Sequence, residues 1–186
     1  MPVAIDDPHL LQPRPRLLDP ALGHGVHARV PGSGVGFVVQ VEIVDAGLRS
    51  LDWLVSLQVS HDGDFAPIGC NGFLSRGGAA AAFDQQPVEA CTVTSACLTA
   101  HGITGDARWM VSASSAFEWF LGQNSLQQWL YDASTGGCCD GLHAERRNRN
   151  QGAESTLSFL LALAEMRTVH PTVIQPERAL ALPLTT

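Results

Sequence analysis

The sequence predicts an all-α domain built from helical hairpins, and two observations lead to this prediction. Gln86 and Gln151 differ by 65 positions, as do Glu89 and Glu154, and each pair occupies the same place in a helix, loop and helix unit. In both units a helical apolar pattern is followed by a long glycine-rich loop and then by a strongly apolar helix. A spacing this regular indicates a structural repeat.

The composition describes a chain with one core and an acidic surface. It has 186 residues, of which 45% are apolar, which is enough for one domain and too few to expect two. A formal net charge of −7 disfavours nucleic acid and anionic membrane surfaces as partners. Every basic residue is an arginine, so Schiff-base catalysis, a P-loop lysine and an anchor for pyridoxal phosphate are excluded.

The five cysteines are an odd number with no C-x-x-C pair, which favours reduced thiols in a cytoplasmic protein. No H-E-x-x-H or similar pairing occurs, and we expect neither a metal nor a cofactor. The N-terminal stretch is acidic and lacks the apolar segment of a secretory signal. No apolar run reaches about 18 residues, so we expect no membrane span.

The chain divides into an arm, a helical domain and a tail. Residues 1–46 are rich in proline and glycine and predict an irregular arm, with one β-prone run at 37–44. Residues 169–186, broken by prolines, predict an irregular tail. Pro87 suits the first turn of a helix, and Asp106 suits an N-cap. Within the domain, residues 47–168, the predicted helices cover 47–60, 87–101, 106–121 and 153–167.

Two of these helices, 87–101 and 153–167, carry hardly a charge, which predicts that they are buried on nearly all sides. The other two are amphipathic and would lie outside them. Both long loops, near 61–84 and 122–152, then fall on one side of the helices. This order describes a partial (α/α) toroid with long loops at one rim, where functional residues usually gather.

The loops and helix starts carry a set of motifs that point to a known family. They occupy residues 47–58, 67–73, 83–90, 119–124, 131–132, 135–138, 140–141 and 148–156. Between about 47 and 167 the chain resembles the helical toroid, of six-hairpin glycosidase type, found with bacterial group 1 (family 4 type) glycosyltransferases. The resemblance implies carbohydrate metabolism, with a sugar or oligosaccharide as ligand and a glycosyltransferase domain or a second copy as a further partner.

A complete toroid of that class has about six hairpins, whereas this chain offers two helix pairs. Either the chain is a fragment or it completes its core with another chain. An inner helix left open at one edge would expose a large apolar patch. We therefore expect association or poor solubility.

Three carboxylates at the junctions between loop and inner helix are the candidate catalytic residues: Asp84, Glu89 and Glu154. Glycoside chemistry needs two carboxyl groups on either side of a bond. The first turn of a helix also stabilises a glutamate through the helix dipole, so Glu89 and Glu154 have a structural alternative. Asp84 has one as well, as an N-cap or turn residue.

Amides beside carboxylates are typical of sugar recognition, because hydroxyl groups need both donors and acceptors. Trp53 and Trp119 lie at helical spacing beside apolar residues, which favours the core. A cluster of arginines at 146, 147 and 149 suits a phosphate or an acidic sugar, or a solvated surface. The candidate substrate-binding residues are Asn71, Arg76, Gln85, Gln86, Trp129, Tyr131, Asp140, His143, Asn150 and Gln151.

Three interpretations of the function are compatible with these residues. The first is a glycosyltransferase-associated or glycosidase-like domain that acts on or binds a sugar. The second is a non-catalytic helical module that binds glycan or scaffolds a transferase. The third is a truncated, inactive fragment.

Overall fold

The computed structural model describes residues 35–169. The predicted tail beyond 169 and the predicted arm up to residue 34 lie outside this range. In chain order the elements are the helix α1 (Val35–Leu57), the helices α2 (Pro87–Thr104) and α3 (Ala107–Glu118), the strands β1 (Tyr131–Asp132), β2 (Gly137–Cys138), β3 (Gly141–Leu142) and β4 (Arg147–Asn148), and the helix α4 (Ala153–Val169).

The ends of α2 and α3 follow from local chemistry. Pro87 opens α2, where its missing N–H leaves no hydrogen bond unmade. Gly105 ends α2 in the left-handed region (φ 70°), and its N–H donates to the carbonyl of His101 at 2.8 Å. Asp106 caps α3 by accepting a hydrogen bond of 2.9 Å from the N–H of Arg108. The predicted positions of Pro87 and Asp106 are confirmed.

The core lies where α2 packs against α3 and α4. Aromatic rings fill it: Phe117 stacks on Phe159 with centroids 6.1 Å apart, and Trp119 meets Phe120 edge-on at 5.3 Å. Small residues on α2, such as Ala90 and Cys97, are fully buried and let the neighbouring helices approach. The core therefore rests on aromatic side chains from α3, α4 and the segment that follows α3.

The predicted all-α class is wrong, because the second long loop folds into two antiparallel hairpins, β1 with β2 and β3 with β4. Tyr131 lies opposite Cys138 in the first hairpin, and Gly141 lies opposite Asn148 in the second. Strands of two residues are too short to show the alternation by which a sequence reveals a strand. The described residues form a small mixed domain of four helices and two two-stranded sheets, and a toroid of helical hairpins is not its architecture.

Two further expectations differ from the structure in α1. The β-prone run 37–44 is helical, since it forms part of the longer helix that begins at Val35. Trp53, expected in the core, is 59% exposed. Helical spacing identifies one apolar face of α1, but that face is wider than the surface that the neighbouring helices cover.

Candidate functional site

A carboxylate and an imidazole from the two long loops meet at the start of α2. Asp84 Oδ1 and His143 Nδ1 are 2.5 Å apart, and both side chains are about one-third exposed, at 37% and 35%. Asp84 ends the first long loop, while His143 follows β3 in the second. The pair is thus open to a solute on one side and held by backbone on the other.

The backbone register explains why these two residues are neighbours. Gln85 and Leu142 exchange both backbone hydrogen bonds, each at 2.9 Å, so the residues before α2 lie antiparallel to β3. One step back from Gln85 is Asp84, and one step on from Leu142 is His143. Gly141 permits the approach, because a Cβ atom there would come within 2.2 Å of the Gln85 carbonyl oxygen.

The first loop doubles back on itself to deliver Asp84. The N–H groups of Gly69 and Cys70 donate to the carbonyls of Ala81 (2.7 Å) and Asp84 (2.9 Å). A Cβ atom on Gly69 would lie 2.0 Å from the carbonyl oxygen of Phe83, so only glycine fits there. The peptide bond between Phe83 and Asp84 is cis.

The pair sets the tautomer of the histidine. An ionised carboxylate only accepts hydrogen bonds, so His143 donates from Nδ1 to Asp84 and, when neutral, keeps Nε2 as an acceptor. A ring held in this way has a fixed orientation and a basic nitrogen that can take a proton from a bound hydroxyl or water. The arrangement can therefore act in acid and base chemistry or receive a hydrogen bond from a ligand.

Glu89 lies in the first turn of α2 and is partly buried. Its Oε2 is buried without a hydrogen-bond partner. Burial raises the pKa of Glu89 above its usual value, because desolvation disfavours the charged form. A carboxyl group of this kind can serve as a proton donor near neutral pH more readily than a solvated one.

Gln85, predicted to bind substrate, is only 2% exposed. Its Oε1 accepts a hydrogen bond of 2.8 Å from Trp119 Nε1, and its Nε2 donates to the carbonyl of Ala82 at 2.9 Å. Both polar atoms of the amide group therefore have hydrogen-bond partners within the protein. The structure places Gln85 beneath the site as a support, and Trp119 in the core as expected.

Three other predicted binding residues lie on or near the first loop and are exposed: Asn71, Arg76 and Gln86. Gln86 Nε2 contacts the sulfur of Cys70 at 3.4 Å, next to the residues that carry Asp84. Phe73, which the sequence reasoning missed, is 66% exposed on the same loop and has a positive φ of 55°. The sequence Asn-Gly-Phe at 71–73 is typical of a turn, and this is the feature by which Phe73 could have been identified from the sequence.

A second polar group lies at the start of α4. Asp140 Oδ1 accepts from the N–H of Gly152 and from Ser155 Oγ, both at 2.7 Å. Gln151 accepts from Thr135 Oγ1 at 2.7 Å and donates to Asp132 Oδ2 at 3.2 Å. The Asp140 contacts join the second loop to the start of α4, while the Gln151 contacts join two parts of that loop.

The remaining candidates lie on the second long loop or at the start of α4. Tyr131 stacks on Phe159 at 4.5 Å, so one face of its ring is already covered. Trp129 is 53% exposed, and its backbone carbonyl accepts a hydrogen bond from Arg147. Asn150 and Glu154 are exposed. Trp129 is therefore the predicted aromatic residue that still offers a free ring surface.

Hydrogen bonds join only some of the predicted residues. Asp84 and His143 meet across the two loops, while Asp140 and Gln151 make separate contacts near α4.

No described group of histidine, cysteine, aspartate and glutamate side chains has the arrangement of a metal site. Among residues 35–169, no helix is both long and apolar enough to cross a membrane. Comparison with models of known protein families finds no match, and comparison with curated proteins finds none either.

Proposed function

We propose that this domain binds or processes a carbohydrate at the site formed by Asp84 and His143. The observation that carries the proposal is the 2.5 Å hydrogen bond between their side chains, which joins two long loops at the start of α2. Both side chains remain partly exposed, so a ligand can reach them.

Sugar hydroxyls suit this pair chemically. His143 Nε2 accepts a proton or a hydrogen bond from a hydroxyl, while Asp84 orients the ring. Glu89, whose pKa is raised by burial, is the candidate proton donor. Reaction at a glycosidic bond would need such a donor on one side and a base or nucleophile on the other.

Exposed side chains on or next to the two long loops favour a sugar over other small ligands. The exposed amides of Asn71 and Gln86 offer donors and acceptors, and the exposed ring of Trp129 offers a stacking surface. The loop motifs also resemble those of helical domains found with bacterial group 1 glycosyltransferases, so a glycosyltransferase is the proposed partner. All five cysteines are free thiols, which supports a reducing compartment, the cytoplasm.

The test is a panel of mono- and oligosaccharides, first by thermal shift and then by calorimetry of any sugar that stabilises the protein. Asp84→Asn and His143→Asn are the test variants. His61→Asn is the matched control, because His61 also faces an aspartate, Asp62, at 3.6 Å but lies fully in solvent on the first loop.

We expect a sugar that raises the melting temperature of the wild type and of His61→Asn, with the effect lost in Asp84→Asn and His143→Asn. If no sugar stabilises the protein, the proposal fails. It also fails if the two site variants respond as strongly as the control, since the ligand would then bind elsewhere.

A second candidate is sugar binding without turnover. This candidate is favoured because two of the predicted carboxylates already accept hydrogen bonds within the protein. Asp84 accepts one from His143, and Asp140 accepts one from Ser155 at the start of α4. The two candidates are separated by incubating the stabilising sugar, as its nitrophenyl glycoside, with wild type and Glu89→Gln. Release of nitrophenol that Glu89→Gln abolishes indicates catalysis, whereas binding with no release indicates a glycan-binding module.

A further inference from the structure

The hairpin of β3 and β4 brings an arginine next to the candidate site. Leu142 lies opposite Arg147 in the paired strands, and the N–H of His143 donates to the carbonyl of Arg146 at 2.9 Å. His143 and Arg146 therefore continue the antiparallel pairing by one more pair. Opposed residues of this kind have their side chains on the same side of a hairpin, with Cβ atoms about 4.5–5.5 Å apart.

Burial along the hairpin follows the same alternation. Leu142 is buried, and Arg147, its partner, is partly buried and donates to the backbone carbonyl of Trp129. The next pair is more open, since His143 is partly exposed and Arg146 is exposed. One side of the hairpin is thus used inside the protein, whereas the side with His143 and Arg146 faces solvent.

The charge of Arg146 is available to a ligand. Asp84, the nearest acidic group of the candidate site, makes its ion-pair contact with His143. Arg146 forms no ion pair with any residue that the structure describes, and the exposed Glu145 beside it forms none either. A guanidinium group is planar and always charged, and its N–H groups match the oxygens of a carboxylate or a phosphate in pairs.

We propose that Arg146 binds an anionic group of the sugar, so that the ligand of this site is a sugar phosphate or a sugar acid. The inference rests on the proposed function, because it takes the pair of Asp84 and His143 as the place where a sugar hydroxyl binds. His143 Nε2 accepts a hydrogen bond from that hydroxyl, and Arg146 donates to the phosphate or carboxylate of the same molecule.

The anionic group must be recognised by contact. The chain carries a net charge of −7, which repels an anion at long range. A hydrogen bond between two charged groups is about twice as strong as one between neutral groups, so the contact with Arg146 favours the anionic sugar over its neutral parent.

The test is calorimetry of the full chain at low salt with matched ligands: glucose, galactose and mannose, each as the neutral hexose, the two hexose phosphates with the phosphate at either end of the sugar, and the uronic acid. The test variants are Arg146→Gln and Arg146→Lys. Arg149→Gln is the matched control, because Arg149 is also exposed but lies an odd number of positions from Arg146, which places it on the other side of an extended strand.

We expect one anionic form to bind at least about tenfold more tightly than its neutral parent. Arg146→Gln should abolish this difference and leave the affinity for the neutral hexose unchanged. Arg146→Lys should keep part of it, since the charge remains without the planar fork. Arg149→Gln should keep all of it. Whether a phosphate or the uronic acid gains affinity identifies the anionic group.

Two results would overturn this inference while leaving the sugar site in place. One is a neutral hexose whose binding depends on Asp84 and His143 but gains nothing from an anionic group. The other is an equal loss in Arg146→Gln and Arg149→Gln, which would assign the effect to the general charge of the cluster. If no hexose binds in any form, the proposed function and this inference both fail. Circular dichroism checks that each variant is folded.

Discussion

Gln85 joins three parts of the molecule with one side chain and its backbone. It accepts from the buried indole of Trp119, donates to Ala82 and pairs with Leu142 of β3. Since Gln85 also follows Asp84, the same residue that supports the core fixes the position of the candidate site. The sequence predicts that Gln85 binds substrate, because it lies in a polar run at the end of a loop. Such a run does not show which of its side chains are buried.

The first prediction is that Gln85→Leu destabilises the protein, because the Trp119 indole N–H is then left buried without an acceptor. The expected loss in the free energy of unfolding is about 1–3 kcal/mol, measured by urea denaturation. Gln86→Leu is the control, because Gln86 is exposed and surface changes usually stay within about 0.5 kcal/mol. Equal losses in the two variants would contradict the assigned role of Gln85.

The second prediction concerns Glu89 and pH. Its pKa is raised in the folded state by burial, so between the ordinary value of 4.5 and the raised one the folded protein binds more protons than the unfolded chain. The contribution of Glu89 to stability therefore falls as pH rises through this window. Glu89→Gln stays neutral and has no such loss.

The measurement is urea unfolding of wild type and Glu89→Gln at a series of pH values above and below 4.5. We expect wild type to lose stability relative to Glu89→Gln as pH rises above 4.5, and the difference to level off once Glu89 is ionised in both states. A difference that stays constant over this range would show that Glu89 is solvated in the folded protein.

At the scale of elements, long periodic segments were predictable and short strands were not. The helices α2, α3 and α4 begin at residues 87, 107 and 153, next to the predicted starts at 87, 106 and 153. Caps and apolar periodicity act locally, so they can be read from the sequence. The four strands depend on pairing between residues in one loop, and two residues are too few to display a pattern.

The site could be predicted only in part for the same reason. The sequence identifies Asp84 and His143 as candidate site residues, yet nothing in it says that they meet. Their contact depends on the pairing of Gln85 with Leu142, which lies 57 positions further along the chain. A single sequence does not reveal such a pairing. The candidate residues were therefore predictable, while their grouping was not.

The third prediction is that the start of α4 depends more on Asp140 than on Glu154. Asp140 accepts two hydrogen bonds of 2.7 Å at this end of the helix, whereas exposed Glu154 interacts mainly with the helix dipole. Asp140→Ala should cost about 1–2 kcal/mol of unfolding free energy, comparable to the loss of an N-cap. Glu154→Ala should cost about 0.3–1 kcal/mol. Thermal and urea unfolding followed by circular dichroism provide both values, and the reverse order would contradict this account.

At the scale of the whole molecule, the repeat of helix, loop and helix led to a toroid that the structure does not contain. A repeat specifies neighbouring units, but closing a ring depends on how every unit is oriented, and that information is spread over many contacts. The expectation that α4 is buried on nearly all sides is also wrong, because Leu157, Leu160 and Leu161 are exposed. The same apolar composition that suggested an inner helix now identifies a surface without a partner in the described part of the chain.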